Sequence, residues 1–366
     1  MKSKKIMFVI PTLGTGGAER VATILANNLS KIYDIEFFVI ENSNVKRYPI
    51  NKCVGIKEAG IKVKRGNKFR SIINYIFTFH KQRLALKNEI KRFSPDIIIS
   101  FLPKADMLVY SIKKSKMSWI SSERNDPMSR SQVERFLLNH IYKRTSVLVC
   151  QTKKICEYYL KTGVTRVCVI RNPLILSICQ NNTVDFEEKF IVSVGRLDKQ
   201  KNYELLIKAF TRAKLNAKFQ EKLYILGDGP HRQKLKKMIY DLNMSDEVIL
   251  LGRKSNVNEY LKNATAFVMS SDYEGLPNAL IEAMAMGLPV ISTDFYTGAA
   301  SELIDEKNGL LVPVGDIEKM EKAIVEIMKK PKPILKAMGR VSKKRVIGLD
   351  VDSIIKEWAR LIRKTN

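Results

Sequence analysis

Ser270-Ser271-Asp272-Tyr273-Glu274-Gly275-Leu276-Pro277-Asn278-Ala279-Leu280-Ile281-Glu282-Ala283-Met284-Ala285-Met286-Gly287 sets two carboxylates, Glu274 and Glu282, on either side of a strand-to-helix junction. The apolar run 266–270 before it reads as a buried strand. Pro277 to Met286 reads as a helix, with proline in the first turn and Gly287 ending it. Glu274 then falls in the junction loop and Glu282 inside the helix. The helix start would aim the backbone N–H groups of Gly275, Leu276 and Asn278 at an anion, while Pro277 shapes the turn without donating. Taken alone, such a glutamate pair more often means one side chain in solvent and one paired with a lysine.

A second stretch decides between these readings. Phe190 to Val194 is a strand by its apolar run, followed by Gly195-Arg196-Leu197-Asp198-Lys199-Gln200-Lys201-Asn202. Arg196 can clamp a diphosphate at two points, and Lys201 adds a point charge. In an open parallel sheet the loops at the carboxyl ends of different strands converge on one crevice. Cations and a helix start facing two glutamates describe a site for a nucleotide-diphosphate sugar.

At these residues the chain resembles glycosyltransferase family 4, retaining enzymes of the GT-B fold. The matching positions are Gly195, Arg196, Lys201 and the Glu274–Glu282 pair, joined by Pro11 to Arg20, Gly227-Asp228-Gly229-Pro230 and Asn308 to Val312. The resemblance implies an α/β protein of two Rossmann-like parallel-sheet domains facing across a cleft. The expected bounds are 1–175 for the acceptor-side domain, 176–188 for a linker, 189–348 for the nucleotide-sugar domain and 349–366 for a helix crossing back. It implies that Gly16 and Gly17 approach the donor phosphate and that Glu282 binds the ribose. Glu274 would hold the sugar hydroxyls and steady charge at the anomeric carbon. Arg253, Gly275, Leu276, Pro277 and Asn278 complete the expected donor site. Many members carry a histidine in the loop that here reads Ser122-Glu123-Arg124-Asn125-Asp126-Pro127. Arg124 stands in its place, and Glu123, Arg124 and Asn125 are the expected acceptor or sugar contacts.

That loop, with the context around Glu274 and Thr297 to Ile304, looks most like bacterial transferases extending lipid-linked oligosaccharides for capsule, O-antigen or N-glycan assembly. The implied donor is a UDP-linked hexose or N-acetylhexosamine, and the implied acceptor sits on a polyprenyl diphosphate. Arg196 and Lys201 would neutralise the departing diphosphate as a metal does elsewhere. No D-x-D motif stands in the expected place, so neither metal nor cofactor is expected. A nucleotide-sugar 2-epimerase of the same fold is the alternative within the resemblance.

At 366 residues and 45% hydrophobic the chain is ample for two cores. The five cysteines, Cys53, Cys150, Cys156, Cys168 and Cys179, form no C-x-x-C pair and fit a reducing compartment. Apolar residues 6–10 are too few for a signal peptide before Pro11 intervenes. Net charge is +27, and residues 44–171 hold 28 Lys plus Arg against 8 Asp plus Glu, a surplus of 28 − 8 = 20. Nucleic acid, an anionic membrane surface or an acidic substrate could each explain it, as could a merely lysine-rich surface. A nucleic-acid-binding platform is disfavoured because the prominent arginines stand at strand ends beside glutamates, which repel a phosphate backbone. The expectation is a cytoplasmic protein, peripheral on the inner face of the membrane. Its helix 69–93 carries aromatics among basic residues, as an interfacial helix or one packed on its own sheet would.

Strand 4–10 and helix 18–31 flank a glycine turn that imitates a dinucleotide fingerprint, and acidic Glu41 follows the second strand. Glu19 fills the third glycine position, where helix must pack on strand, which argues against that use. His80, His140 and His231 read as ordinary packing residues. Residues 330–349 read as a broken stretch before the last helix, whose Ile354, Ile355, Trp358 and Leu361 give an apolar face.

Overall fold

The computed structural model describes residues 4–14, 16–41, 47–60, 68–112, 117–174, 186 and 188–365, with backbone only for 68–73. Most of the linker expected at 176–188 lies outside the described residues. The chain forms two compact units, one of residues 1–173 with 351–366 and one of residues 174–350.

The first unit runs β1 (Lys5–Ile10), α1 (Gly17–Leu29), β2 (Asp34–Val39), β3 (Gly55–Glu58), α2 (Lys68–Phe93), β4 (Ile97–Phe101), α3 (Pro103–Tyr110), β5 (Ser118–Ser122), α4 (Gln132–Tyr142), β6 (Val147–Cys150), α5 (Lys153–Lys161) and β7 (Val167–Val169). The strands form a parallel sheet in the order β3-β2-β1-β4-β5-β6-β7. Parallel strands are covered on both faces, which is why β1 and β4 read as nearly unbroken apolar runs and are buried along almost their whole length.

The second unit runs β8 (Phe190–Val194), α6 (Tyr203–Ala217), β9 (Lys222–Leu226), α7 (Arg232–Asp241), β10 (Val248–Gly252), α8 (Val257–Asn263), β11 (Phe267–Met269), α9 (Asn278–Met286), β12 (Val290–Thr293), α10 (Ala299–Leu303), β13 (Gly309–Val312), α11 (Ile317–Lys329) and α12 (Lys332–Arg345). Its parallel sheet has the order β10-β9-β8-β11-β12-β13. In each sheet the chain reverses direction once, between β1 and β4 and between β8 and β11. Such a reversal is where an α/β sheet opens a crevice at its strand ends.

The last helix, α13 (Val351–Lys364), belongs to the first unit, where Ile354, Trp358, Ala359 and Ile362 are buried and α1 is its neighbour. The stretch before it corrects the sequence reading: 332–345 is a continuous helix rather than a broken segment. Pro331 precedes that helix and Pro333 sits in its first turn, where a missing N–H leaves no bond unmade. Gly339 then lets α12 cross the end of α9, since a Cβ there would lie 1.9 Å from the Gly287 carbonyl oxygen. Helix α9 itself starts at Asn278, with Pro277 as the capping residue and donor-free end.

The loops after β8, β9 and β10 are tied by backbone bonds from Gly195 N to Leu226 O (2.9 Å), Leu197 N to Asp228 O (3.1 Å) and Gly227 N to Gly252 O (2.8 Å). Gly227 makes this possible: its φ is +141°, and a Cβ would stand 1.8 Å from Gly195 O. Gly227→Ala is expected to cost about 2–4 kcal/mol from steric clash and backbone strain together. Gly315→Ala, also at positive φ but in open space, should cost about 1 kcal/mol. Denaturant unfolding of both variants checks this, and equal losses would mean that the close approach to Gly195 is unimportant.

Candidate active site

In the second unit the two loops flanking the reversal carry the residues that the sequence singles out. Lys201 Nζ, from the loop after β8, donates to Glu274 Oε1 at 2.6 Å, from the loop after β11. Ser271 Oγ donates to the same oxygen at 2.8 Å. Both charged side chains are largely withdrawn from solvent. Further bonds lace the two loops together: Asp272 N to Gln200 O (2.8 Å), Ser270 Oγ to Lys201 O (2.8 Å), Gln200 Nε2 to Tyr273 O (2.9 Å) and Asn202 Nδ2 to Asp272 Oδ1 (2.7 Å). From the end of β12, Thr293 Oγ1 donates to Ser271 O (2.6 Å), and from the loop after it Thr297 Oγ1 donates to Gly275 O (3.1 Å).

Arg196 points outward, 70% exposed, and its Nε donates to Asp198 Oδ2 at 2.6 Å. Gly195 lies under Lys201, whose Cε is 2.8 Å from where a Cβ would be. Glu282 is buried in the second turn of α9 beside Ile281 and Ala283 and is engaged by other groups. Gly275, Leu276 and Pro277 are buried, and Asn278 is half-buried at the helix start. Arg253 is exposed just after β10, the edge strand, next to Gly252, whose carbonyl accepts from Gly227 N of the loop after β9. A cavity of about 230 Å³ beside these loops is lined by Asp198, Asn202, Tyr203, His231 and Asp272 among others. Sequence reasoning treated His231 as packing. Its place on this cavity depends on α7 folding back over the loop after β8, for which a lone histidine gives no signal.

In the first unit Gly16 and Gly17 are exposed at the start of α1. Glu19 accepts from Thr12 Oγ1 at 2.9 Å, and Lys104 pairs with Glu41.

The loop after β5 holds a network that the sequence did not reveal. Glu123, expected as a substrate contact, has no exposed side-chain surface. Arg130 donates to both its oxygens (2.6 and 2.7 Å), joined by Tyr159 (2.7 Å), Tyr142 (3.2 Å) and the backbone N–H groups of Arg124 (2.9 Å) and Asn125 (3.0 Å). Burial works to raise its pKa, but the charge and hydrogen bonds of Arg130 outweigh that and hold it below the usual carboxylate range. Glu123 therefore shapes the loop from inside, while the Asn125 side chain is exposed. Arg124 is buried, and its Nη1 donates to Asn172 Oδ1 at 2.6 Å.

Beneath this lies Asp106, which accepts from Ser100 (2.6 Å), Ser121 (2.7 Å) and Tyr142 (3.1 Å). Burial pushes its pKa up to about 7, against the lowering effect of the two serines. The Tyr142 hydroxyl has one proton and lies within reach of both Asp106 and Glu123. A proton on Asp106 Oδ2 lets every contact be made.

Because the folded pKa lies above the ordinary 3.8, the folded state holds the extra proton between those values. Stability from this group is thus full below about pH 4 and declines as pH rises toward 7. Asp106→Asn reproduces the protonated form, so its melting temperature relative to the parent should rise by several degrees between about pH 5 and pH 8. Thermal melts across that range check the sign, and a pH-independent difference would show that Asp106 does not titrate there.

Residues 178–345 match the family model described as glycosyl transferases group 1. The chain is 29% identical over 368 residues to a Campylobacter jejuni GalNAc-alpha-(1->4)-GalNAc-alpha-(1->3)-diNAcBac-PP-undecaprenol alpha-1,4-N-acetyl-D-galactosaminyltransferase, covering 98% of both chains. It is 27% identical to a second enzyme of that organism, N-acetylgalactosamine-N,N'-diacetylbacillosaminyl-diphospho-undecaprenol 4-alpha-N-acetylgalactosaminyltransferase, covering 97% of this chain and 98% of the relative. Among solved structures it resembles sucrose-phosphate synthase from Thermosynechococcus elongatus, with a TM-score of 0.80, 18% identity and 99% of each chain covered. It also resembles Anabaena HepE, solved with UDP and glucose, with a TM-score of 0.74, 16% identity and coverage of 99% and 100%.

Proposed function

We propose that the chain, which has GT-B architecture and whose residues 178–345 match the glycosyl transferases group 1 model, is a glycosyltransferase carrying out a particular reaction. The protein moves a hexose or N-acetylhexosamine from a UDP-linked donor to a hydroxyl of a lipid-linked glycan, with retention, during surface polysaccharide assembly. The two Campylobacter relatives, named as N-acetylgalactosaminyltransferases acting on undecaprenol-linked glycans, support the donor and acceptor classes. The observation that carries the proposal is the 2.6 Å bond between Lys201 and Glu274 at the reversal of the second sheet.

Paired with Lys201, Glu274 is placed to hold sugar hydroxyls and to face positive charge at the anomeric carbon. Lys201 and Arg196 meet the diphosphate as its bond to the sugar breaks, so no metal is required for the leaving group. The start of α9 adds its dipole there, and Glu282 takes the ribose. Glu274→Gln is expected to lower turnover about a hundredfold or more while leaving UDP affinity nearly unchanged. Turnover of the parent should survive excess EDTA. Wild-type turnover in the variant removes Glu274 from the chemistry, and restoration by magnesium after chelation removes the cationic clamp.

For the membrane, no helix among the described residues is long and apolar enough to cross it. The first unit instead exposes large apolar side chains beside its basic surplus: Ile76 (63%) and Phe77 (60%) on α2, and Val133 (79%) and Phe136 (80%) on α4. Lys81 Nζ lies 4.4 Å from the centre of the Phe77 ring. Rings and aliphatic chains framed by cations suit an anionic interface, where each basic residue contributes about 1 kcal/mol. Vesicles containing phosphatidylglycerol should bind the protein at low salt and release most of it at about 1 M, where screening shortens to about 3 Å. Replacing Val133 and Phe136 by Ser should weaken that binding and slow transfer to a long-chain acceptor but not to a short soluble one. Equal vesicle binding by the double variant would reduce this face to ordinary surface.

A further inference from the structure

Arg124 lies two residues beyond β5 and Gln151 one residue beyond β6, and the register that pairs Ser122 with Val149 sets the two side by side. Both donate to one atom: Arg124 Nη1 and Gln151 Nε2 reach Asn172 Oδ1. A guanidinium can only donate, so the Asn172 atom facing it is the oxygen, and the Gln151 atom facing that oxygen is the nitrogen. Gln151 Oε1 is thereby turned away from Asn172. Among the described residues it has no donor, and Arg124 Nε, Arg124 Nη2 and Ser122 Oγ, likewise buried, have no partner.

Arg124 is only 7% exposed, with its guanidinium 5.4 Å from the centre of the Phe101 ring. The neighbouring carboxylate, Glu123, is already held through both oxygens by Arg130. Burial pushes the Arg124 pKa down to about 9, with the Glu123 charge opposing. A buried polar atom left unpaired is costly, and here such atoms gather on two adjacent strand ends. Nε and Nη2 form one edge of the guanidinium, whose parallel N–H groups match two oxygens of an oxyanion.

We infer that Arg124, Gln151 and Ser122 form a receptor for an oxyanion with a hydroxyl beside it, as on a sugar phosphate or a uronic acid. The arginine edge takes the oxyanion, Gln151 Oε1 accepts from the hydroxyl, and the Ser122 hydroxyl donates or accepts as the ligand requires. The physiological ligand rests on the proposed sugar transfer, as a charged portion of one of its substrates. The binding chemistry does not.

Calorimetric titration of the full chain with glucose 1-phosphate and with glucuronate tests this, with methyl glucoside as the neutral control. The titrations use an Arg196→Gln/Lys201→Gln background, so that the proposed donor clamp cannot account for phosphate binding. At least one charged probe should bind and the neutral one should not. Response to phosphate alone or to glucuronate alone identifies the source of the oxyanion. Adding Arg124→Lys, which keeps the charge but loses the planar edge, should weaken binding about ten- to a hundredfold. Gln151→Glu supplies a carboxylate beside Arg124, so it should abolish binding in a chain that circular dichroism shows to be folded. It decides the matter if Arg124→Lys does not fold. Absence of binding by either charged probe in the background chain, or unchanged affinity in the folded Arg124 or Gln151 variant, overturns the inference. Neither result bears on the Glu274 experiment, so the transferase reading stands or falls separately.

Discussion

Lys201 and Glu274 are 73 residues apart in sequence and 2.6 Å apart in the fold because β8 and β11 are neighbours where the second sheet reverses its order. Helices leaving the two strands diverge from that line, which opens a crevice that only loops can line. The loop bonds from Gln200, Asn202, Ser270 and Asp272 hold the pair in register, and Thr293 and Thr297 brace it from the end of β12 and the loop that follows. A partly buried ion pair contributes little net stability once desolvation is counted, yet removing one partner costs about 3–5 kcal/mol. The pair is therefore better understood as a geometric device that keeps an ammonium and a carboxylate at one place than as a source of stability.

The first unit repeats the reversal, between β1 and β4, but treats charge differently. Glu123 is saturated by Arg130, two tyrosines and two backbone N–H groups, so its charge is neutralised within the wall. Asp106, deeper and without a cation, answers burial by keeping a proton instead. Arg124, next to Glu123 in sequence, has neither remedy, because a guanidinium holds its proton and the nearby carboxylate is taken. Three buried ionisable groups within one network thus reach three different outcomes, set by which partner each can reach.

The strands were legible because both faces of a parallel sheet are covered, so β8 and β9 appear in the sequence as apolar runs bounded by glycine or charge. Lys201 and Glu274 were legible as types in loops at strand ends. Their contact follows from the strand order, which no local pattern encodes. Helix α12 was missed because Pro331, Pro333 and Gly339 look like breakers, whereas two stand at the helix start and the third sits at a helix crossing. The enclosure of Glu123 was hidden for a similar reason. Its partners Arg130, Tyr142 and Tyr159 come from a single turn and two later helices, and residue types alone do not say which of them turn inward.

The way the cations are held also separates the two kinds of attraction a basic protein can exert. Arg196 with Asp198 and Lys201 with Glu274 sum to no net charge. An ammonium has three donors and the pair uses one of them; the guanidinium likewise engages Asp198 through Nε alone. On the proposed reading, a diphosphate can then be held by the remaining donors at hydrogen-bond range without breaking either pair. Such a site rewards fit rather than bulk charge, and an extended polyanion meets two carboxylates there. The surplus of 28 − 8 = 20 positive charges over residues 44–171 has no comparable neutralisation in the sequence and acts over the screening length, about 10 Å at 0.1 M salt. If the proposed function holds, long-range attraction and donor selection belong to different parts of the chain, and salt should weaken attachment to a charged surface far more than it weakens recognition of the nucleotide.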